Sequence, residues 1–524
     1  MSSHTKPGRQ GQDKEKKRPL YSNRTLKLLL LFCLGGLSSL SMAPTSFWPA
    51  MFTGLSILYI TVIHANSSLK ASLYTFSFFL GYFGFSLSWI GNALLVENNP
   101  YWWVWPFAIS GLPLILSAFP ASLISLYKTI ALKRQIDEKR ITAYIAFCLA
   151  LAIADYARGH LFTGFPWNLF AYSWSEILPI AQLASIGNIY TLNTITIFWA
   201  IAPAFILGST YKKTAKSLLV FTIFTTIALS YLYGQNRINT YHSQSTQTPH
   251  SPVHVVVIQP NIKQSEKWKP EKRAQNFMRL VSMSYAQENQ HPKTLIIWPE
   301  TAIGQDILDT AWTMEKIRKM LQSYKNDVYL ITGAMRYKEK ETDKENIPDQ
   351  EYIFYNSIIT LNKTGDIIDI YDKRHLVPFG EYIPLDSYIK ISPVVGFSGF
   401  HKGTQTNIRE IKTHNKNKKG LNTAFKFAAL ICYEVIFPNL VKYKSGNNTD
   451  VIVNVTNDAW YGDSAGPYQH AVQARFRAIE TGLPVIRSAN TGISMVIDAT
   501  GNIKAHINLM KQDLIAEKIP SPID

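Results

Sequence analysis

The sequence predicts a polytopic α-helical membrane domain followed by a soluble α/β domain. Three observations carry that prediction. Long apolar runs fill residues 25–234, whereas residues 253–524 have the mixed charge of a water-soluble domain. In the second part short β-rich runs alternate with helical stretches, the pattern of an α/β fold. Near-continuous apolar strands there, such as VIVNV at Val451–Val455, imply a sheet buried on both faces.

With 524 residues the chain is long enough for more than one domain. Its formal net charge of +17 admits nucleic acid as a partner, but no nucleic-acid motif is present. Most basic clusters flank apolar runs, so lipid head groups are the expected partner. The three cysteines, Cys33, Cys148 and Cys432, give no disulfide framework.

Residues 1–25 form a basic tail with Lys14, Lys16, Lys17, Arg18 and Arg24. The apolar run that follows could be a cleavable signal peptide, but further runs succeed it at once. Seven spans are expected, at about 26–44, 46–65, 72–96, 104–127, 141–157, 188–208 and 217–234, since a span needs about 20 apolar residues. The fifth is short and contains Asp155, which with Arg158 could form a buried ion pair. Residues 159–187 are apolar but broken by Gly164, Pro166 and Pro179, as in a re-entrant piece, an interfacial piece or an eighth span. The loops carrying Lys128–Arg140 and Lys212–Lys216 are basic, and the alternate loops near Pro44 and Glu97 are not. With seven spans this bias puts the N-terminus in the cytoplasm and everything after Gly234 outside it.

Residues 235–252 are polar and read as a linker to a domain over 253–505, with a polar tail at 506–524. Strands are expected at His254–Gln259, Leu295–Trp298, Val328–Thr332, Asn356–Leu361, Ile367–Tyr371, Phe427–Ile431, Val451–Val455, Pro484–Ser488 and Ile493–Ile497. Helices are expected at Lys272–Gln287, Thr310–Tyr324 and Tyr468–Thr481. The charged inserts Lys338–Glu351 and His401–Gly420 read as solvated loops.

Three motifs stand at strand ends. IIWPET puts Glu300 after a strand that Pro299 is expected to end; YDKRHLVPFGEYIP supplies Lys373 and Glu381; ICYEVIFP supplies Cys432 and Glu434. Alone, each has a bland reading as a solvated strand end, a surface charge or a core thiol. Together they allow a specific chemistry. A base and a cation beside a thiol favour the thiolate. Glu300 could take the thiol proton and return it to a leaving group. Lys373 and the backbone N–H of Tyr433 could hold the oxyanion of a tetrahedral intermediate. The implied reaction is acyl transfer through a thioester. No metal-ligand clustering and no phosphate-cradling glycine loop is visible, so no metal and no cofactor is expected.

The order Glu–Lys–Cys within WPE, DKRHLVPFGEYIP and CYE resembles the nitrilase (carbon–nitrogen hydrolase) superfamily, which implies an αββα sandwich. With the membrane domain in front, the whole chain is similar to the apolipoprotein N-acyltransferase family, which N-acylates bacterial lipoproteins. Further matching pieces are TGFPWN (Thr163–Asn168), QPNI (Gln259–Ile262), NDAWYG (Asn457–Gly462) and Gln469–Gly492. The resemblance implies Glu300 as base, Lys373 as oxyanion stabiliser and Cys432 as the acyl-accepting nucleophile. It implies Glu381, Tyr433 and Glu434 as essential neighbours. Trp268 would be a loop residue near the substrate entrance, against the plain alternative of a surface aromatic between lysines. His470 and Arg477 are expected to pack on their helix. The partners implied are a phospholipid acyl donor (phosphatidylethanolamine) and a diacylated apolipoprotein acceptor. The location implied is the bacterial inner membrane, with the catalytic domain in the periplasm. Two other readings stay open from the residues themselves. One is a membrane-tethered amidase or nitrilase acting on a small amide; a lipid-sized mouth, hinted at by Trp268, Phe397 and Phe400, would argue against it. The other is a transporter or receptor with a silent domain. Family members close with a last membrane helix, and the stretch after Gly501 is too polar and short to supply one.

Overall fold

The computed structural model describes residues 24–96, 101–137, 140–208, 213–247, 253–286, 291–339, 352–384, 399–416, 422–441 and 449–523. Most of the basic tail, most of the Lys338–Glu351 insert and Phe397 lie outside the described residues. The first half is helical: α1 (Arg24–Ser38), α2 (Pro49–Ile63), α3 (Ser68–Ser86), α4 (Trp105–Lys133), α5 (Ile141–His160), the short α6 (Leu178–Ala181), α7 (Ile189–Gly208) and α8 (Lys213–Gln247).

Each of the seven expected spans falls on a helix. Five of these helices are long and apolar enough to cross a bilayer, and α3 with the 3-10 turn Ser88–Leu95, bent by 45°, makes a sixth. Helix α2 has 15 residues. At 1.5 Å per residue it is about 22 Å long, short of a hydrocarbon core of about 30 Å. Helices α1 and α3 touch backbone to backbone. A Cβ on Gly35 would lie 1.8 Å from Phe78 O, and one on Gly81 would lie 1.9 Å from Phe32 O. Small residues at such crossings let dispersion act where lipid offers no hydrophobic drive.

Residues 161–188 hold no helix of spanning length. They fold as 3-10 turns and α6, largely buried, and the Asp155–Arg158 pair organises them. Arg158 Nε donates to Asp155 Oδ1 at 2.8 Å, while Arg158 Nη1 donates to the carbonyls of Phe165 at 2.9 Å and Trp167 at 2.7 Å. Asn193 Nδ2 donates to the second Asp155 oxygen at 2.7 Å. A buried ion pair is tolerable only when its remaining groups are hydrogen-bonded in this way.

The expected linker is instead helical through Gln247. Hydropathy falls after Gly234, but nothing breaks the helix there. Its polar end docks on the second domain, with Tyr241 Oη donating to Ser521 O at 3.1 Å and Arg237 Nη2 to Ile479 O at 3.2 Å.

The second half is an αββα sandwich of two six-stranded sheets. One has the order β12-β1-β2-β3-β4-β5, from β1 (Val253–Gln259), β2 (Lys293–Gly304), β3 (Asp327–Glu339), β4 (Tyr352–Leu361), β5 (Ile367–Asp372) and β12 (Asp513–Lys518). The other has the order β11-β10-β9-β8-β7-β6, from β6 (Ile408–Lys416), β7 (Asn422–Ile431), β8 (Val451–Thr456), β9 (Val485–Ala489), β10 (Ser494–Ile497) and β11 (Ile503–Ile507). Alternate residues of facing strands, among them Val255, Val257, Ile297, Ile331, Phe427, Ile431, Val453 and Ile486, form the core between the sheets. Each buried Val, Ile or Phe contributes about 1.5–3 kcal/mol. Helices α9 (Pro270–Met283) and α11 (Ala311–Gln322), with the short α10 (Gln305–Leu308) between them, belong to the outer layer on the first sheet.

Helix α12 (Ala465–Thr481) covers the second sheet and is itself covered by the helical half. The ring of Tyr172 meets that of Phe476 at 5.2 Å, and Ile189 N donates to Glu480 Oε1 at 2.7 Å. Two readings of the sequence need correction here. The supposed loop His401–Gly420 contains β6, and the supposed tail 506–524 contains β12, which pairs antiparallel with β1. Both are edge strands with few inward apolar side chains. In β12 only Ile515 is buried, so the alternation that marks a strand is faint.

Candidate active site

The site lies where β2, β5, β7 and β8 end. After Trp298, β2 does not stop at Pro299 as expected. It shifts register and resumes at Ile303, and the irregular stretch turns Glu300 toward the gap between the sheets. The bulge needs a bare neighbour, since a Cβ on Gly333 of β3 would lie 2.4 Å from Pro299 O. Residue Thr301 takes φ +45° within it.

Lys373 follows β5, and the residue before it is pinned. Arg336 Nη2 donates to both Asp372 oxygens at 2.9 and 2.8 Å, and Ser357 Oγ to Oδ1 at 2.6 Å. The Lys373 ammonium, 1% exposed, lies 2.9 Å from Glu381 Oε1 and 3.7 Å from Glu300 Oε1. Burial opposes its charge. The Glu381 and Glu300 carboxylates and the Cys432 thiol overcome that and hold its pKa above the usual lysine value. Asn356 joins the two carboxylates, its Nδ2 donating to Glu300 Oε1 at 2.7 Å and to Glu381 Oε1 at 3.0 Å. The other Glu300 oxygen accepts from Asn457 N at 2.8 Å, and Glu381 Oε2 from Val377 N at 2.8 Å.

Cys432 follows β7 with φ +47°, an uncommon conformation for a non-glycine residue. Two sets of contacts hold it. Glu434 accepts from Ile431 N at 2.8 Å on one side and from Arg374 N at 2.8 Å and His375 N at 3.1 Å on the other. Tyr371 Oη adds bonds of 2.9 and 3.0 Å. Glu434 thus ties the cysteine turn to the loop that carries Lys373. Below the turn, His470 Nε2 lies 3.2 Å from Cys432 O, and its Nδ1 lies 2.9 Å from Asp458 Oδ1. Arg487 Nη2 reaches Asp458 Oδ2 at 2.7 Å and His470 Nδ1 at 3.1 Å. Among the described residues, Cys432, Asp458 and His470 are close enough together to share a cation, a grouping the sequence did not suggest. The Arg487 guanidinium already supplies the positive charge there.

The helical half reaches this brace directly. The Trp167 ring stacks on His470 at 5.4 Å. Trp167 and Trp89 both donate to Gln469 Oε1, at 2.8 and 3.1 Å. Tyr433 turns away from the triad, its hydroxyl donating to Gly164 O at 3.1 Å, and the Phe165 ring stacks on it. The TGFPWN stretch is therefore part of the floor of the site.

The structure brings Glu300, Lys373, Glu381 and Cys432 into one electrostatic cluster and puts Glu434 behind it. Trp268, half-buried in the loop before α9, lines a cleft shared with Glu300, Lys267, Phe277 and Pro299. Phe400 is buried. Sequence reasoning missed Asn356, Asn457, Lys267 and the Asp458–His470–Arg487 brace. The one available signal was a polar residue inside an otherwise apolar strand, as at Asn356.

The thiol is not pre-ionised. Burial and the Glu300 charge push Cys432 up to about 12, against Lys373 and the Thr456 hydrogen bond. Proton removal must then accompany attack, with Glu300 as the acceptor at hand. Alkylation of Cys432 by iodoacetamide is expected to quicken about tenfold per pH unit from pH 7 to pH 10. Peptide mass mapping of the alkylated cysteine measures this, and a plateau below pH 8 would refute it.

Residues 34–202 match the apolipoprotein N-acyltransferase N-terminal domain, and residues 254–522 match the carbon-nitrogen hydrolase family. An apolipoprotein N-acyltransferase of Brucella melitensis is 33% identical over 97% of this chain and 92% of its own. One of Rickettsia typhi is 35% identical over 94% and 93%. A solved carbon-nitrogen hydrolase from Helicobacter pylori is 15% identical, covering 51% of this chain and 88% of its own, with a TM-score of 0.33. On near-full-length likeness above 30%, with both halves matched in order, the chain belongs to the apolipoprotein N-acyltransferase family.

Proposed function

We propose that the chain transfers an acyl group from phospholipids, phosphatidylethanolamine among them, to the α-amine of the diacylglyceryl-cysteine at the N-terminus of a lipoprotein. The reaction runs through a thioester on Cys432. In the first half, Glu300 takes the thiol proton as sulfur attacks the ester carbonyl. The Lys373 ammonium and the Tyr433 backbone N–H stabilise the oxyanion. The intermediate collapses, Glu300 returns the proton to the leaving alkoxide, and a lysophospholipid departs. In the second half the lipoprotein amine attacks the thioester, Glu300 accepts its proton, and the thiol re-forms as the amide leaves. This is ping-pong catalysis.

The observation that carries this reading is the Glu300–Lys373–Glu381 cluster at the end of the strand that delivers Cys432, built against a helical domain of membrane-spanning character. Likeness to acyltransferases over nearly the whole chain favours it over hydrolysis of a small amide. Seven crossings from a cytoplasmic N-terminus would put the αββα domain on the periplasmic face of the inner membrane, where lipoproteins mature.

The test is intact-protein mass spectrometry after incubation with phosphatidylethanolamine, beside Cys432→Ala. The expected result is a hydroxylamine-labile gain of one acyl chain, absent from the variant. No gain on the folded wild-type protein would refute the donor half of the reaction. Survival of the gain in the variant would refute the nucleophile.

A further inference from the structure

Lys267 is a buried ionisable residue beside Glu300 that the mechanism above leaves idle. It is 7% exposed and ends the 3-10 turn Gln264–Glu266, next to Trp268. Among the described residues its ammonium bonds to no carboxylate. It donates to the backbone oxygen of Glu300 at 3.0 Å and to Thr301 Oγ1 at 2.7 Å. It also lies 5.6 Å from the centre of the Trp268 ring. With Trp268, Pro299 and Glu300 it lines the cleft that opens beside the base.

The peptide that Lys267 grips leads into an uncommon backbone conformation. Thr301 has φ +45°, a conformation that persists only when its surroundings over-determine it. The Glu300 side chain is fixed at its tip by Asn356 and Asn457. Of its own backbone, the carbonyl is held by Lys267. Burying an ammonium against neutral oxygens is costly. Burial lowers the Lys267 pKa to about 8, with Glu300 and Cys432 pulling it back up. A clamp that only needed to hold a carbonyl could use an uncharged donor. The charged one adds a cation within electrostatic reach of both the base and the nucleophile.

We propose that Lys267 is a positioning residue, clamping the Glu300–Thr301 peptide so that the carboxylate meets the thiol proton, and tying that geometry to the Trp268 loop at the cleft. The clamp rests on the thioester reading with Glu300 as its base. The same short segment thus carries a cleft-lining aromatic and the fastener of the base. Movement of the loop to admit a lipid would loosen the base, and its return would re-seat it.

The test is single-turnover acylation of the full-length protein in detergent with phosphatidylethanolamine, read as adduct mass against time and donor concentration. Wild type, Lys267→Met, Lys267→Arg and Glu300→Gln are compared. Misplacing a reacting group by about 1 Å costs about 100-fold. Lys267→Met is expected to acylate about 100-fold more slowly at saturating donor, with half-saturating donor within about twofold of wild type. Its final adduct amplitude should be unchanged. Lys267→Arg, which keeps a cation and donors, should recover about half of that loss on a logarithmic scale. A purely structural role would lower the amplitude and leave the rate of the folded fraction alone. That result, or a Lys267→Met rate within threefold of wild type, overturns the clamp. If Lys267→Met does not fold, the shorter Lys267→Gln is read by the same criteria. Wild type without an adduct overturns the thioester reading, and Glu300→Gln as fast as wild type overturns Glu300 as its base; either takes the clamp with it. Failure of Lys267→Met alone leaves that reading standing.

Discussion

Replacing Lys373 with methionine is expected to slow acylation of Cys432 by at least about 1000-fold, the upper range for removing one oxyanion donor. The expectation exceeds that of an ordinary oxyanion residue because Lys373 does two things. Its ammonium faces the reacting centre, and it is the cation that lets Glu300 and Glu381 share Asn356. Methionine has similar bulk, so the cavity stays filled. What remains is two buried carboxylates bridged by a single amide. Removing one partner of a buried ionic cluster costs about 3–5 kcal/mol, and the variant should unfold at lower temperature in detergent. Arginine should not rescue it, because its planar fork does not fit a site built round a point charge. Adduct formation by Lys373→Met within tenfold of wild type, by time-resolved intact mass, would show that the ammonium is not the oxyanion partner.

Glu434→Gln is expected to be nearly as damaging, although this side chain touches no substrate. Its oxygens take bonds from three backbone N–H groups and a tyrosine hydroxyl. Glutamine keeps one acceptor oxygen and turns an amide donor against the remaining donors. Hydrogen bonds to a charged group are worth about 1.5–3 kcal/mol each, and at least one must break. The turn that holds Cys432 at φ +47° then loses its link to the Lys373 loop. Acylation should fall about 100-fold, with a lower unfolding temperature and faster alkylation of Cys432 by iodoacetamide than in wild type at the same pH. A variant with wild-type acylation and unchanged melting would mean that His470 and Asp458 alone seat the thiol.

The positions of the candidates Glu300 and Cys432 were legible because each follows an apolar run, which marks a buried strand; Lys373 was picked out by the motif YDKRHLVPFGEYIP around it. The central strands also came through, since both faces of each are apolar. Edge strands β6, β11 and β12 did not. Among their described residues each buries one side chain, where β1 and β8 each bury six, so pairing is decided by backbone hydrogen bonds that leave no mark on composition. The polar stretch after Gly234 misled for a related reason, because hydropathy reports what a helix faces and not whether the helix continues. Asn356 and Lys267 were missed because their roles depend on which strand ends become neighbours. The balance at the thiol was not legible either. Lys373 favours the thiolate, but burial and the Glu300 charge weigh more.

The two indoles that converge on Gln469, and the third contact of Trp167 on His470, make the order of assembly matter. The brace under the thiol is finished by side chains from the half of the chain that is made and inserted first. A catalytic half released without those helices would leave Gln469 and His470 facing water and the Cys432 turn unsupported. Building the floor of the site from the helical half makes the setting of Cys432 depend on that half being in place.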